Sequence, residues 1–572
     1  MSSTSTLLSP RAAQFRAAGL WRDRSMNWYL EQAIARSPDK LAVVAYRIDR
    51  DLPTRLSYRE LGQRVDRAAT SLLSMGVGHG DIVAVQLPNW WEFMVAALAC
   101  GKIGAVVNPL MHIFRERELA YMLNFCAAKV FITADNYRGF DFAAMARGLR
   151  ASLPHLPHLI IVGGDSAESF ERRLMKTATA TAAATAVATV ATTATTTPTT
   201  LATSALASTT GAVRGLSGDD LAVIMFTSGT TGEPKGVMHT SNSMGACLQA
   251  ISSRFGLVTD EVLHGASPLG HMTGYAAIMM LSVYLGATLV LQDVWESKAG
   301  VRIMETEGST FTAASTPFLA DICDAVAGGQ PRPKQLRSFL CGGAPIPPAL
   351  IERAALELNL KVCSLWGMTE CLSGTLTEPA RAHDKSAQSD GRAIDGMEVR
   401  VVDEQGKQCA PGETGRLLVR GASMYFGYYK KPELNGFDAD GWFDSGDLAR
   451  ADDEGYIRIN GRTKDIISRG GENIPVAEIE NLLYQIAGVT SVALVAYPDQ
   501  RLGERACAFV AMRPGLKIDL IAVQNHLAQC KVAKQYWPEA VEQIDELPRT
   551  ASGKIQKFLL KSIATTKYAA KA

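Results

Sequence analysis

The chain has 572 residues, too many for one hydrophobic core, so two or more domains are expected. Its 47% apolar and 20% charged content is that of an ordinary globular protein, and a net charge of +1 excludes the broad basic footprint of a nucleic-acid binder. Ten scattered cysteines with no Cys-x-x-Cys pair argue against a structural zinc and for a reducing, cytoplasmic compartment.

Residues 1–26 lack the long apolar core of a secretory signal and read as a polar, arginine-bearing surface lead. Asn27–Arg36 carries Trp28, Tyr29, Leu30, Ala33 and Ile34 at helical spacing, and Lys40–Tyr46 reads as a strand. Ser57 and Glu60 form a capping box that opens the next helix. Asp81–Leu87 and Ala105–Pro109 are further strands, each followed by a helix, one opening at Asn89 and the other at Arg115. Trp90, Trp91 and Phe93 are read as packing residues. This alternation predicts layered α/β subdomains with mostly parallel strands. The segment 176–212 is almost all Ala and Thr, with Leu201 and Leu206 as its only large apolar residues, and reads as a surface insertion.

Leu221–Phe226 reads as a buried strand, and Ser241–Ile251 as a helix. Between them lies Thr227, Ser228, Gly229, Thr230, Thr231, Gly232, Glu233, Pro234, Lys235 and Gly236. Glycines let backbone approach an anion, hydroxyls and free N–H groups donate to phosphate oxygens, and Lys235 adds a point charge. The spacing is not that of a Walker loop, because four residues after Gly229 comes Pro234. Tyr275–Leu291 is the longest apolar stretch, but Gly286 and Thr288 interrupt it. It reads as a buried helix followed by a strand, and no transmembrane segment is expected.

Further on, Phe339–Cys341 is a strand that ends in the turn Gly342, Gly343, Ala344, Pro345. Val362–Leu365 is a short strand before Trp366, Gly367, Met368, Thr369 and Glu370. Trp366 offers a plate for stacking on a base, Thr369 a hydroxyl, and Glu370 a hard oxygen ligand suited to Mg2+. Val399–Asp403, Gly415–Arg420 and Tyr456–Ile459 read as strands of an antiparallel β subdomain.

These motifs, with Asp444–Asp447, Gly461–Asp465 and Pro548–Lys554, stand in an order that resembles the adenylate-forming superfamily of acyl-CoA synthetases, carrier-loading adenylation domains and beetle luciferases. The resemblance runs from about Trp28 to about Lys557. It implies a large N-terminal AMP-binding domain, 27–463, and a small mobile α+β lid, 464–572, hinged at Lys464. It implies that the 342–345 turn lies against adenine, that Asp447 and Arg462 hold the ribose, and that Lys554 is the catalytic lysine. Ser468, Arg469, Gly470, Gly471 and Glu472 would approach the pantetheine of CoA. His271, in Ser267–Gly274, would stand at the acyl pocket near the reacting carboxylate, with Gly274, Cys341 and Leu365 as further lining. Lys557 and Lys561 are read as merely solvated.

The implied function is an ATP-dependent carboxylic acid–CoA ligase, using ATP, Mg2+ and CoA and no nucleic acid. Carboxylate is already ionised, so adenylation needs charge neutralisation and no general base. Asn108–Leu119 resembles ligases for medium-chain or alicyclic acids such as cyclohexanecarboxylate. A carrier-loading enzyme, a luciferase-like oxygenase and a non-catalytic nucleotide sensor are the competing readings, and a homodimer stays open.

Overall fold

The computed structural model describes residues 5–176, 214–227, 234–343, 346–463, 466–469, 472–474, 476–549 and 555–568. The Ala/Thr-rich segment, apart from Lys176, lies outside the described residues. The chain forms two compact units, residues 1–312 with 422–435, and residues 313–421 with 436–572. These units cut across the expected division at residue 464.

The first unit contains a six-stranded sheet in the order Lys235–Thr240, Leu221–Thr227, Val106–Pro109, Ile82–Gln86, Val130–Ala134, His158–Val162. All neighbours are parallel except Lys235–Thr240, which runs antiparallel to Leu221–Thr227. A second sheet in this unit pairs Val262–Gly265 with Thr288–Gln292 and then Leu41–Tyr46, all parallel, and ends on antiparallel Thr54–Ser57. Parallel strands need covering on both faces, and their sequences are accordingly apolar runs such as LAVVAY and TLVLQ. Helix Trp91–Lys102 is buried along nearly its whole circumference, and Trp90, Trp91 and Phe93 all lie in the core. The Ser57–Glu60 capping box opens helix Tyr58–Ser74 as expected.

Two expectations for this unit need correction. Residues 5–26 are more than a polar surface lead. They contain helix Ser5–Ala17, and Phe15 and Trp21 pack into a buried cluster with Ala246 and Ala422. The indole Nε1 of Trp21 donates to the Ala422 carbonyl at 2.8 Å. The partner lies 401 residues away, so no local pattern could announce it. The chain after the phosphate loop also differs from expectation, because it does not pass directly into a helix. It first forms strand Lys235–Thr240, and Thr240 then caps helix Ser241–Phe255.

In the second unit, Ser338–Gly342 pairs in parallel with Lys361–Trp366, which continues antiparallel through Thr375–Leu376 to Arg392–Ala393. A four-stranded antiparallel sheet comes next, in the order Met397–Val402, Gly415–Gly421, Phe443–Ala451, Ile457–Arg462. The C-terminal part is built on the long hairpin Val489–Asp499 and Gly503–Met512. Side chains alternate across a strand, and here both faces are apolar. Val492, Leu494 and Ala496 pack with Ile479, Leu483, Val523 and Leu527 from helices Val476–Leu483 and Leu520–Gln529. Ala493, Val495 and Tyr497 pack with Leu560 and Ala564 of helix Lys557–Tyr568. Lys557 and Lys561 on that helix are not simply solvated: they pair with Glu480 at 2.7 Å and Glu504 at 3.3 Å. Among the described residues, no helix is long and apolar enough to cross a membrane.

Candidate active site

Thr227 and Lys235 face each other as partners across the antiparallel pair, so the loop between them begins and ends at one point on the sheet. Ser228, Gly229, Thr230, Thr231 and Gly232 lie outside the described residues. The Lys235 ammonium lies 4.4 Å from the ring centroid of Tyr428 and 3.4 Å from its hydroxyl. A cation over a buried aromatic face gains electrostatic attraction and keeps its charge directed. Tyr428 is held in turn by backbone bonds that add residues 426–429 to the rim of strand Lys235–Thr240: Phe426 N to Met238 O at 2.7 Å, and Tyr429 N to Gly236 O at 2.8 Å. Sequence reasoning missed Tyr428. Its only signal was the aromatic run Tyr425–Tyr429.

In the second unit, Asp447 is buried on strand Phe443–Ala451 and accepts from two side chains. Trp366 Nε1 donates at 2.8 Å and Arg462 Nε at 3.1 Å. Asp447 and Arg462 are also register partners across adjacent strands, which is how residues fifteen apart come together. Trp366 ends strand Lys361–Trp366, and its ring packs on Gly374, where a Cβ would come within 2.4 Å of Cζ3. Its indole thus holds the carboxylate expected at the ribose, a role that the stacking expectation did not include. Gly367 sits where the chain folds back on itself, because a Cβ there would stand 2.1 Å from the Leu372 carbonyl oxygen. Met368 and Thr369 are half-buried and Glu370 is buried in the adjoining turn.

Gly342 pairs with Leu365, and Gly343 takes a φ of +84°, a conformation that favours glycine. A Cβ on Gly343 would meet nothing within 4 Å, so this backbone is open to a flat ligand. Ala344 and Pro345 lie outside the described residues. Sequence reasoning also missed Asp390. Its half-buried carboxyl is pushed up by desolvation, with Asp447 adding to the effect, and it accepts from Ile459 N at 2.8 Å while Arg458 stands 3.7 Å away.

The acyl-pocket candidates divide between the units. In the first, half-buried His271 caps a short helix, its Nδ1 accepting from Thr273 N at 3.3 Å. Gly274 is required by its own chain: a Cβ would stand 2.3 Å from the Pro268 carbonyl oxygen. In the second, Leu365 is half-buried and Cys341 fully buried. Burial pushes the Cys341 thiol up to about 12, which leaves it protonated at neutral pH and unfit as a nucleophile.

Of the residues expected near CoA, Ser468 pairs with Asn473 and Arg469 with Glu472 as a hairpin, while Gly470, Gly471 and Lys464, the expected hinge, lie outside the described residues. The Arg469 guanidinium is committed to Glu539 and to the Gln535 carbonyl at 2.9 Å. Lys554 also lies outside the described residues. The residue expected to hold Mg2+, Glu370, is a single buried carboxyl side chain. Among the described residues no three His, Cys, Asp or Glu side chains converge. One carboxylate fits a magnesium that arrives on nucleotide phosphates, which usually keeps several waters.

A buried carboxyl group with two fixed donors, beside an aromatic strand end and a glycine turn on a mixed α/β fold, has the chemistry to receive a nucleotide's ribose and base. Comparison with known proteins narrows the class. The AMP-binding enzyme family matches residues 30–429, and the AMP-binding enzyme C-terminal domain matches residues 478–554. The chain belongs to the AMP-binding enzyme family. It is 36% identical over 566 residues to a medium-chain fatty-acid–CoA ligase of Escherichia coli (strain K12), covering 98% of this chain and 94% of that one. It is 33% identical over 552 residues to a salicyl-AMP ligase / salicyl-S-ArCP synthetase of Mycobacterium tuberculosis, covering 96% and 92%. The structure of ATP-bound MatB from Rhodopseudomonas palustris matches with a TM-score of 0.79 at 25% identity, covering 95% of this chain and 100% of that one. The protein is an AMP-forming acid–thiol ligase of the acyl-CoA synthetase kind, and such ligases use ATP, Mg2+ and CoA.

Proposed function

We propose that the protein joins a medium-chain or alicyclic carboxylic acid to free CoA by way of an acyl-adenylate. The observation that carries the substrate class is the 36% identity to a medium-chain fatty-acid–CoA ligase over 98% of the chain. The half-buried Leu365, proposed as acyl-pocket lining, agrees with it, because its side chain supplies no group that would bind a phenolic hydroxyl.

In the first half-reaction a carboxylate oxygen attacks the α-phosphorus and pyrophosphate leaves. The nucleophile is already an anion, so the protein's task is to neutralise charge and fix geometry. The loop 227–236 binds the departing phosphates, with Lys235 as its cation. Asp447 accepts from the ribose hydroxyls while Trp366 and Arg462 hold it in place, and the open face at Gly343 takes the adenine. Lys554 contacts carboxylate and α-phosphate oxygens, and Glu370 would hold a magnesium, which would supply charge neutralisation for the nucleotide phosphates. In the second half-reaction the lid turns about Lys464 and the 468–472 hairpin guides the thiol to the acyl carbon; the sulfur forms the thioester as the acyl carbon–oxygen bond breaks, the thiol proton is lost and AMP leaves. CoA thiol resembles cysteine, with a pKa of about 8.5, so some thiolate exists at neutral pH. Ten free cysteines fit a cytoplasmic setting.

A second reading is favoured by the 33% identity to a salicyl-S-ArCP synthetase: the thiol acceptor would be a carrier-protein phosphopantetheine. The test is kcat/KM across octanoate, cyclohexanecarboxylate and salicylate, with CoA or a holo-carrier protein as acceptor. Octanoate or cyclohexanecarboxylate should be preferred with CoA. Preference for salicylate with the carrier would replace the proposal by the second reading.

A further inference from the structure

Asn89 sits where strand ends from both sheets of the first unit meet. It comes after strand Ile82–Gln86, is only 3% exposed, and belongs to no regular element. Its Nδ2 lies 3.2 Å from the Gly265 carbonyl oxygen, 3.3 Å from that of Ala266, 3.1 Å from that of Ser267 and 3.2 Å from that of Gln292. Its Oδ1 accepts from Leu269 N at 3.0 Å. Four acceptors on one side and one donor on the other leave the amide a single orientation. Two N–H groups are shared among four carbonyls, so the chain from Gly265 to Leu269 wraps around this one side chain.

That wrapped segment leads straight into His271. His271 N donates to the Pro268 carbonyl at 3.0 Å, and Tyr275 N donates to the His271 carbonyl at 2.9 Å. Two glycines close the remaining freedom: a Cβ on Gly270 would stand 2.6 Å from the Leu110 carbonyl oxygen, and one on Gly274 would strike Pro268. The segment therefore rests on backbone on one side and on the Asn89 amide on the other. No other side chain bonds to as many of its backbone groups among the hydrogen bonds described.

We infer that Asn89 is a positioning residue for acid activation, which sets the place of His271 by holding the backbone of residues 265–269. This rests on the reading of His271 as a residue of the acyl site. Asn89 touches no reacting atom itself. An amide suits the task because it is neutral and offers donors and an acceptor from one planar group. A carboxylate of the same shape would turn two donors into acceptors that face four carbonyl oxygens. When protonated it would again donate one hydrogen bond to a carbonyl and accept the Leu269 N–H. Burial and the carbonyl dipoles both favour that protonated form.

The test is pyrophosphate release with the acid varied at saturating ATP and ATP varied at saturating acid, from pH 6 to 9, for wild type, Asn89→Ala, Asn89→Asp, His271→Ala and the double variant Asn89→Ala/His271→Ala. Titratable groups on the surrounding segments, His264, Asp293, Glu92, Arg47 and His112, are common to all five, so rates are taken relative to wild type at each pH. Asn89→Ala should lose about tenfold or more in kcat/KM for the acid, while the KM for ATP stays within about twofold. Asn89→Asp should be as impaired at high pH and recover several-fold towards pH 6, which Asn89→Ala should not. The double variant should be no worse than His271→Ala by more than about twofold, as coupled residues require. Additive losses, or equal rises in both KM values with no acid recovery, would overturn the inference. If Asn89→Ala does not fold, the pH profile of Asn89→Asp decides alone. His271→Ala at wild-type rate would remove the acyl-site reading itself, an outcome separate from any behaviour of the Asn89 variants.

Discussion

Asp447 is buried and its two carboxyl oxygens are held by Trp366 Nε1 and Arg462 Nε. Hydrogen bonds to an ionised group are worth about 1.5–3 kcal/mol. Asp447→Ala should therefore raise the KM for ATP by about tenfold or more, measured by pyrophosphate release at saturating acid. An unchanged KM would take the ribose away from this carboxylate. Trp366→Phe keeps a ring but loses the Nε1 donor, and should show a smaller effect in the same assay. Glu92 gives a prediction about pH. It is fully buried, and desolvation pushes its carboxyl from 4.5 up to about 7, with Arg47 Nη1 3.7 Å away. The folded state thus keeps a proton that the unfolded chain releases at lower pH. Glu92's contribution to stability is full below 4.5 and is lost as pH rises to about 7, by about 3 kcal/mol in total. Glu92→Gln should lose less thermal stability than wild type between about pH 5 and 8. Parallel curves for the two proteins would contradict this.

Helix Ser5–Ala17 and the residues after it show what a sequence keeps and what it hides. Trp21 buries its indole and bonds Ala422, so Trp21→Ala should destabilise the protein by about 3 kcal/mol, read from the urea midpoint. No change would mean that the lead is not docked in solution. Nothing near Trp21 reveals this packing, because its partner comes from the other end of the same unit. Local devices were legible. The Ser57–Glu60 capping box, the buried run Tyr275–Leu291 and the strand before Trp366 all depend on neighbours in sequence. Strand Lys235–Thr240 was hidden by its start. Pro234, Lys235 and Gly236 read as loop, and only pairing with Leu221–Thr227 makes a strand of residues 235–240. Motif residues such as Asp447 and Arg462 were legible as types. Their contact was not, since it depends on the register of two strands. Tyr428 and Asp390 had no signal beyond an aromatic run and a lone carboxylate.

At the scale of the whole molecule, the C-terminal part has an apolar core on both faces of its central hairpin and so can hold its shape as one body. That suits the proposed lid, which would present Lys554 in one half-reaction and residues 468–472 in the other. Lys554→Ala should cut adenylation by about 10²–10³-fold, the loss seen when one preorganised charge-stabilising donor is removed. It should leave thioester formation from supplied acyl-adenylate near the wild-type rate, measured by thioester yield. Equal damage to both halves would contradict a lysine used in one state only. The central claim, adenylation and then transfer to CoA, is tested most directly by AMP release from ATP and a medium-chain or alicyclic acid, with and without CoA. Sustained AMP release that requires CoA is the predicted result. A single turnover of pyrophosphate that stalls at bound acyl-adenylate, with no turnover on adding CoA, would contradict it.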